Sequence, residues 1–356
     1  MLNPSTFFCD IIEFMNKIQN GVRYISNSGL TWARNKVGRG FSYFNKSGNP
    51  LKPEELEKVK NLSIPPAWSD VRICPSDNGH IQAIGYDDKG RKQYIYHSDW
   101  ILQQQQNKFN SMIRFGEILP KLRRTVYRHM IQEELTRKRI LATAVWLLEN
   151  TFIRIGNKSY ERENDSYGLT TLRGKHVKVR GNTVKFNFKG KSGVYHELDI
   201  THPRVAKTIK KCIELPGYEL FQYKDQEQNK HTIDSRDVNE YLHTIAGENM
   251  SAKDFRTWGG TTIAGITLYE LGEPSSEGEA KAFLSQAYDE VADNLGNTVP
   301  VCKQYYIHPK IVESYENGTL IPHFEKIYKL NDKSPQRMSL GEYAAWTLLG
   351  EVVEAK

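Results

Sequence analysis

The apolar pattern of this chain changes period once, near Trp100, and that change constrains the fold more than any other feature. Before it come short runs rich in aromatic and β-branched residues: Gly29-Leu-Thr-Trp-Ala-Arg34, Gly40-Phe-Ser-Tyr-Phe-Asn45, Val71-Arg-Ile-Cys-Pro75, His80-Ile-Gln-Ala-Ile-Gly-Tyr86 and Lys92-Gln-Tyr-Ile-Tyr-His97. Asn, Gly, Pro and Asp punctuate them, as strands and turns require. Between them, the stretch from Lys52 to Lys60 reads as a short helix with Pro53 in its first turn. After Trp100, Gln103 to Gln106 read as a helix or a hinge. Pro120 then precedes a long stretch with few breakers, Lys121 to Glu149, where Ile140, Ala144, Leu147 and Leu148 recur at helical spacing. Its basic residues Arg123, Arg124, Arg128, Arg137, Lys138 and Arg139 read first as a solvated face.

Strands return between His176 and Ile200. Val177 and Val179 alternate, Arg180-Gly-Asn-Thr183 turns the chain, and Val184, Phe186 and Phe188 alternate again before a second turn at Gly190-Lys-Ser-Gly193. Lys191 therefore falls at the tip between two strands. From His202 onward the pattern is mainly helical, ending in the amphipathic Tyr343-Ala-Ala-Trp-Thr-Leu-Leu349. A chain of 356 residues suits two domains. The expectation is an α+β protein: an amphipathic extension over 1–20 with Phe7, Ile11, Phe14 and Ile18 on one face, a β-rich domain over 21–105 built on a small twisted antiparallel sheet, and a larger, mainly helical domain over 106–356 that contains a three-stranded sheet.

A net charge of +7 and a pI near 9.0 favour an acidic partner, nucleic acid before an anionic membrane. Cys9, Cys74, Cys212 and Cys302 form no Cys-x-x-Cys pair, which argues against a zinc site and a disulfide framework and for a reducing compartment. Cys302 reads as a packing residue. Residues 1–20 lack the basic leader of a signal peptide, and Asp10 and Glu13 break their apolar run, so no membrane association is expected. Gly190-Lys-Ser192 could end a phosphate-binding P-loop, but Lys185 stands where that motif needs glycine, so no nucleotide is inferred.

Four segments place reactive side chains in distinctive settings: Arg154 in Phe152-Ile-Arg-Ile-Gly-Asn157, Lys191 in Phe188-Lys-Gly-Lys-Ser-Gly193, Arg256 in Lys253-Asp-Phe-Arg-Thr-Trp-Gly259, and both Asn297 and Tyr306 in Leu295-Gly-Asn-Thr-Val-Pro-Val-Cys-Lys-Gln-Tyr-Tyr-Ile-His-Pro309. A phenol, with an ordinary pKa near 10, is a poor nucleophile unless cations and donors surround the group it attacks. Guanidinium forks suit the charge of a five-coordinate phosphorus, and an ammonium can protonate a leaving oxygen. In this order and in these settings the residues closely resemble the active site of type IB DNA topoisomerases, especially the small bacterial and poxviral forms.

The resemblance runs from about Gly29 to about Pro309. It implies a catalytic domain of the topoisomerase IB and tyrosine recombinase type, acting on double-stranded DNA as a monomer clamped around the duplex, with no cofactor, metal or nucleotide. It implies Tyr306 as nucleophile, because the family's Tyr lies nine positions after its Asn or His and Tyr305 lies only eight after Asn297. Arg154 and Arg256 would bind the phosphate, with Asn297, a His in the poxviral branch, as a third donor; Lys191 would be the general acid. Gly90-Arg-Lys-Gln-Tyr-Ile-Tyr96 resembles the family's DNA-reading strand, with Gln93 and Ile95 on one face and Lys92, Tyr94 and Tyr96 on the other. Arg91 would meet phosphate, and Gln93, Tyr94 and Tyr96 the major groove. Tyr160 matches a further DNA contact, with Asn157 and Lys158 beside it, while Trp32-Ala-Arg-Asn-Lys36 and Pro65-Pro-Ala-Trp68 match family scaffold. A cytoplasmic, nucleoid-associated location is expected, or a virion or host compartment for a viral source.

Two other readings compete. A tyrosine recombinase carries His-x-x-Arg around its second arginine, and Lys253 occupies the place of that His here. A non-catalytic DNA-binding protein would share the basic surface but would not need Tyr306, Lys191 and Arg256 together.

Overall fold

Alternating apolar residues give the first third a sheet with one face to bury. In a computed structural model that describes residues 21–247, 250–329 and 337–350, strands β1 (Trp32–Val37), β2 (Gly40–Phe44), β3 (Ser69–Ile73), β4 (Ile81–Tyr86) and β5 (Lys92–Tyr96) form one antiparallel sheet in the order β2-β1-β3-β4-β5. Helix α1 (Pro53–Asn61) lies between β2 and β3 in the chain, with Pro53 in its first turn. Trp32, Leu51, Val59, Val71, Ile73 and Ala83 make the core, and Ile95 packs on it. The guanidinium of Arg34, 8% exposed, donates to the carbonyls of Pro65 (3.1 Å) and Trp68 (2.5 Å) and lies over the Phe41 ring. That satisfies a buried charge with backbone acceptors, and it makes both flanking segments scaffold. The expected extension over 1–20 lies outside the described residues.

The chain divides into two units, Met1–Lys108 and Phe109–Lys356, the division falling inside helix α2 (Ser98–Met130). Pro120, expected just ahead of a long stretch over Lys121–Glu149, lies inside a helix that starts at Ser98, runs through it and stops at Met130. An interior proline costs about 3 kcal/mol. Burial of Phe115, Leu119, Leu122, Val126 and Met130 on one face returns about 1.5–3 kcal/mol for each large apolar side chain, so packing wins. Helix α3 (Arg137–Thr151) follows, its N-terminus capped by the Thr136 hydroxyl.

Two arginines expected on a solvated face are held by partners inside the unit, Arg139 buried and Arg123 half-buried. Arg139 is 2% exposed and donates to Thr208 Oγ1 (3.0 Å) and to the carbonyls of Gln132 and Glu133. Arg123 bridges Glu149 (2.6 Å) and Glu342 (2.7 Å).

Helix α4 (Lys158–Asn164) precedes the three-stranded antiparallel sheet of β6 (Val177–Arg180), β7 (Thr183–Lys189) and β8 (Tyr195–Thr201). A single 3-10 turn, Lys191–Gly193, joins β7 to β8. Beyond helix α5 (Pro203–Glu214) the sequence reading misses a two-stranded ribbon, β9 (Gln222–Lys224) and β10 (Lys230–Thr232), whose strands are too short to show alternation. Its turn is tied by the Asp225 carboxylate, which accepts from the backbone N–H groups of Glu227 and Asn229.

The remaining elements are helices: α6 (Ser235–Ala246), α7 (Ala252–Leu271), α8 (Glu277–Leu295), α9 (Val299–Tyr305), α10 (Pro309–Glu316), α11 (Leu320–Tyr328) and α12 (Leu340–Gly350). One continuous core, including Leu141, Leu148, Phe186, Phe221, Phe255, Val291 and Phe324, binds this unit together. No helix among the described residues is long and apolar enough to cross a membrane.

Candidate active site

Helix α7 is the site's backbone. It carries Arg256 on its first turns and then two adjacent glycines, each standing where a side chain would collide with a neighbouring segment. A Cβ at Gly259 would lie 2.1 Å from the Phe152 ring, and one at Gly260 would lie 2.6 Å from the Tyr306 carbonyl oxygen. Phe152 ends α3 in the left-handed conformation (φ 52°) and leads into Arg154, so the glycine pair lets the Arg154 and Tyr306 segments dock on one turn of helix. Thr261 fixes the second: its hydroxyl donates to the Tyr306 carbonyl (3.2 Å) and accepts from the His308 N–H (3.0 Å).

The Arg154 side chain reaches the turn after α8, where Gly296 caps the helix with φ 56°. There it donates to Asn297 Oδ1 and to the Gly296 carbonyl (3.4 Å). Arg256, 4% exposed, donates to the carbonyls of Phe152 and Leu295 (2.8 Å to the latter), and its guanidinium carbon lies 5.2 Å from the centre of the Tyr306 ring. Arg154, Arg256, Asn297 and Tyr306 therefore meet at one place.

Burial first, then mutual repulsion from Arg256, pulls the Arg154 pKa below that of an ordinary guanidinium; burial does the same to Arg256. Arg256 Nε and Asn297 Nδ2 are buried donors with no hydrogen-bond partner among the described residues. The Cys302 sulfur beside Asn297 is a weak acceptor at best, and burial pushes that thiol up, which fits a packing residue. Two crowded cations with unspent donors suit an incoming anion.

Lys191 lines the same cleft as Arg154, Asn157, Tyr160 and Tyr167. The loop of Tyr167 and Gly168 ties its hairpin to the Arg154 segment: Tyr167 N–H donates to the Lys189 carbonyl (2.8 Å), and Leu169 N–H to the Arg154 carbonyl (2.8 Å). A Cβ at Gly168 would sit 2.5 Å from the Arg154 carbonyl oxygen. Asn157 is the N-cap of α4, its Oδ1 accepting from the N–H groups of Ser159 (2.8 Å) and Tyr160 (3.3 Å). Lys158 is not brought to this cleft; it lines a neighbouring depression with Glu161, Arg162 and Arg173.

In the first unit, the exposed rings of Tyr94 and Tyr96 stack at 5.7 Å, with Lys92 Nζ 5.4 Å from the Tyr94 ring. Arg91 and Gln93 both bond Asp87, at 2.6 and 3.0 Å, and the Arg91 guanidinium holds that carboxylate down at about 2. The sequence reading overlooked Gly168, Gly259, Gly260 and Thr261. Only the paired glycines inside an otherwise helical stretch gave a sign.

Comparison with known proteins decides the family. Residues 92–330 match the model of the eukaryotic DNA topoisomerase I catalytic core. The chain belongs to the type IB DNA topoisomerases. Residues 40–87 of the enzyme match the N-terminal domain of bacterial DNA topoisomerase IB. The topoisomerase is 32% identical over 293 residues to DNA topoisomerase 1B of Acanthamoeba polyphaga mimivirus, covering 80% of this chain and 87% of that one. It is 24% identical over 285 residues to DNA topoisomerase 1B of vaccinia virus strain Copenhagen, covering 77% and 86%. With DNA topoisomerase 1 of Mycosarcoma maydis it shares 26% identity over 209 residues, only 20% of that much longer protein.

Proposed function

We propose that this type IB topoisomerase relaxes supercoiled duplex DNA as a monomer, by in-line attack of the Tyr306 hydroxyl oxygen on a backbone phosphorus. Tyr306 becomes joined to the 3′-phosphate, and the strand beyond leaves with a 5′-hydroxyl. Arg154, Arg256 and Asn297 neutralise and bind the phosphate oxygens as negative charge builds up. Lys191, carried on a hairpin tip that DNA would cover, gives the departing 5′-oxygen its proton. Torsion turns the free end, and the 5′-hydroxyl then attacks the phosphotyrosine and restores the strand. The protein–DNA bond conserves the phosphodiester, so this chemistry calls for neither nucleotide nor metal. Arg91, Gln93, Tyr94, Tyr96, Asn157 and Tyr160 serve as DNA contacts, with Lys158 on an adjoining surface. The buried free thiols of Cys74, Cys212 and Cys302 suit a reducing compartment such as the cytoplasm.

The convergence of Arg154, Asn297 and Arg256 beside Tyr306, with buried donors still unspent, carries this reading. The test is relaxation of a supercoiled plasmid with chelator present and nucleotide absent, beside Tyr306→Phe. The expected result is relaxation and a denaturant-trapped adduct with the native chain, and a loss of at least ~10⁴-fold with the variant. An adduct that persists in Tyr306→Phe overturns the assignment.

A further inference from the structure

His196 has no part in the chemistry proposed above, yet it touches two of the segments that carry it. It lies on β8 directly opposite Phe188 of β7, and the two rings stack at 5.1 Å with 18° between their planes. One edge of the imidazole faces Gly190, the residue before Lys191: a Cβ there would be 2.6 Å from both Cδ2 and Nε2. Another edge faces Gly296, the residue before Asn297, where a Cβ would be 2.7 Å from Cε1. The ring therefore fills the space between the Lys191 turn and the turn that Arg154 grips, and glycine on either side lets both backbones close on it.

We propose that His196 is a positioning residue: its imidazole, wedged between Gly190 and Gly296, sets how far the Lys191 hairpin stands from the phosphate-binding side chains. The inference rests on the reading of Lys191 as the acid. A rigid planar spacer suits this task, because a proton donor displaced by about 1 Å loses about 10²-fold in rate. The ring also has to stay uncharged among guanidiniums. Burial, followed by the charges of Arg154 and Arg256, pushes the His196 pKa below its ordinary value and favours the neutral form.

Spacer and mere core residue differ in which step they affect. Single-turnover cleavage by full-length His196→Ala should be about 10–100-fold slower on ordinary DNA. On DNA with a bridging 5′-sulfur, whose leaving group needs no proton, it should come within a few-fold of the native rate. His196→Phe, which keeps a neutral ring against Phe188, should restore most of the loss. Gly190→Ala pushes the hairpin off from the other side and should show the same sulfur-rescued defect. Combining it with His196→Ala, which frees room for the methyl, should cost less than the two defects multiplied. Equal losses on both substrates, or native-rate cleavage by His196→Ala and Gly190→Ala, overturn the proposal. If His196→Ala does not fold, Gly190→Ala and His196→Phe decide on the same criteria. Lys191→Ala is measured alongside: if sulfur does not rescue it, the acid assignment itself falls, whereas rescue of Lys191→Ala without rescue of the His196 and Gly190 variants sinks only the spacer.

Discussion

Two clusters of buried or half-buried arginine in the larger unit have opposite surroundings. Arg123 is clasped by Glu149 and Glu342, and Glu342 also accepts from Trp258 Nε1 at 3.1 Å. Those carboxylates drive the Arg123 pKa up in spite of its burial. Arg154 and Arg256 have carbonyl and amide oxygens and, for Arg256, the Tyr306 side chain as their hydrogen-bond partners; they repel each other and have depressed pKa values. The first cluster is neutralised from within and serves the fold. The second is left short of negative charge, which a phosphate would supply. Burial of an arginine thus says little about its role; the charge of its partners says more.

Substitution should separate the two clusters, and the largest effect belongs to the second. Arg256→Ala should slow strand cleavage about 10²–10³-fold, the scale of losing one preorganised transition-state donor. Its loss of stability should be smaller than that of Arg123→Met, because no carboxylate is left without its cation. A collapse in melting with normal cleavage would erase the distinction. Arg123→Met should do the reverse: about 3–5 kcal/mol of stability lost in denaturant titration, since Glu149 and Glu342 stay buried without their cation. Its cleavage rate per folded molecule should remain near native.

Acid should weaken the site's surroundings in a defined window. His308 caps α10, packs against Phe109, and is held down at about 4, chiefly by burial and then by Lys310. Its folded pKa lies below the unfolded value of about 6.5, so the unfolded chain takes up the proton first. Its contribution is complete above about pH 6.5 and is lost as pH falls towards 4, amounting to about 3 kcal/mol. In His308→Gln that part of the pH slope should vanish; an unchanged slope refutes it. The smallest effect is expected from Thr261→Val, which removes the hydroxyl from the Tyr306 carbonyl and the His308 N–H. A loss of about 1–2 kcal/mol and a cleavage defect within about tenfold would mark a tether.

Which features could be read in the sequence follows from how local their causes are. The Lys191 hairpin was legible because Val184, Phe186 and Phe188 alternate and glycines mark the turn. The candidate residues Arg154, Lys191, Arg256, Asn297 and Tyr306 stood out because each sits in a distinctive short segment. Pro120 misled, since the cost of a proline is local while the burial that outweighs it comes from distant segments. Arg123 and Arg139 misled for the same reason: Glu342 and Thr208 lie far along the chain from them. His196 gave no signal, because its significance comes from Gly190 and Gly296, and the latter is 100 residues away.

The docking of Tyr306 on Gly260 and Thr261 has a mechanical consequence. With Tyr306 as the proposed nucleophile, the cut DNA would hang from this one side chain, and an unwinding duplex would pull on it. Helix α9 has only seven residues and would be a poor mooring alone. The tug would pass instead into the 20-residue helix α7, anchored in the largest core among the described residues. The attachment point can therefore bear the strain of a turning strand without being pulled out of line for resealing.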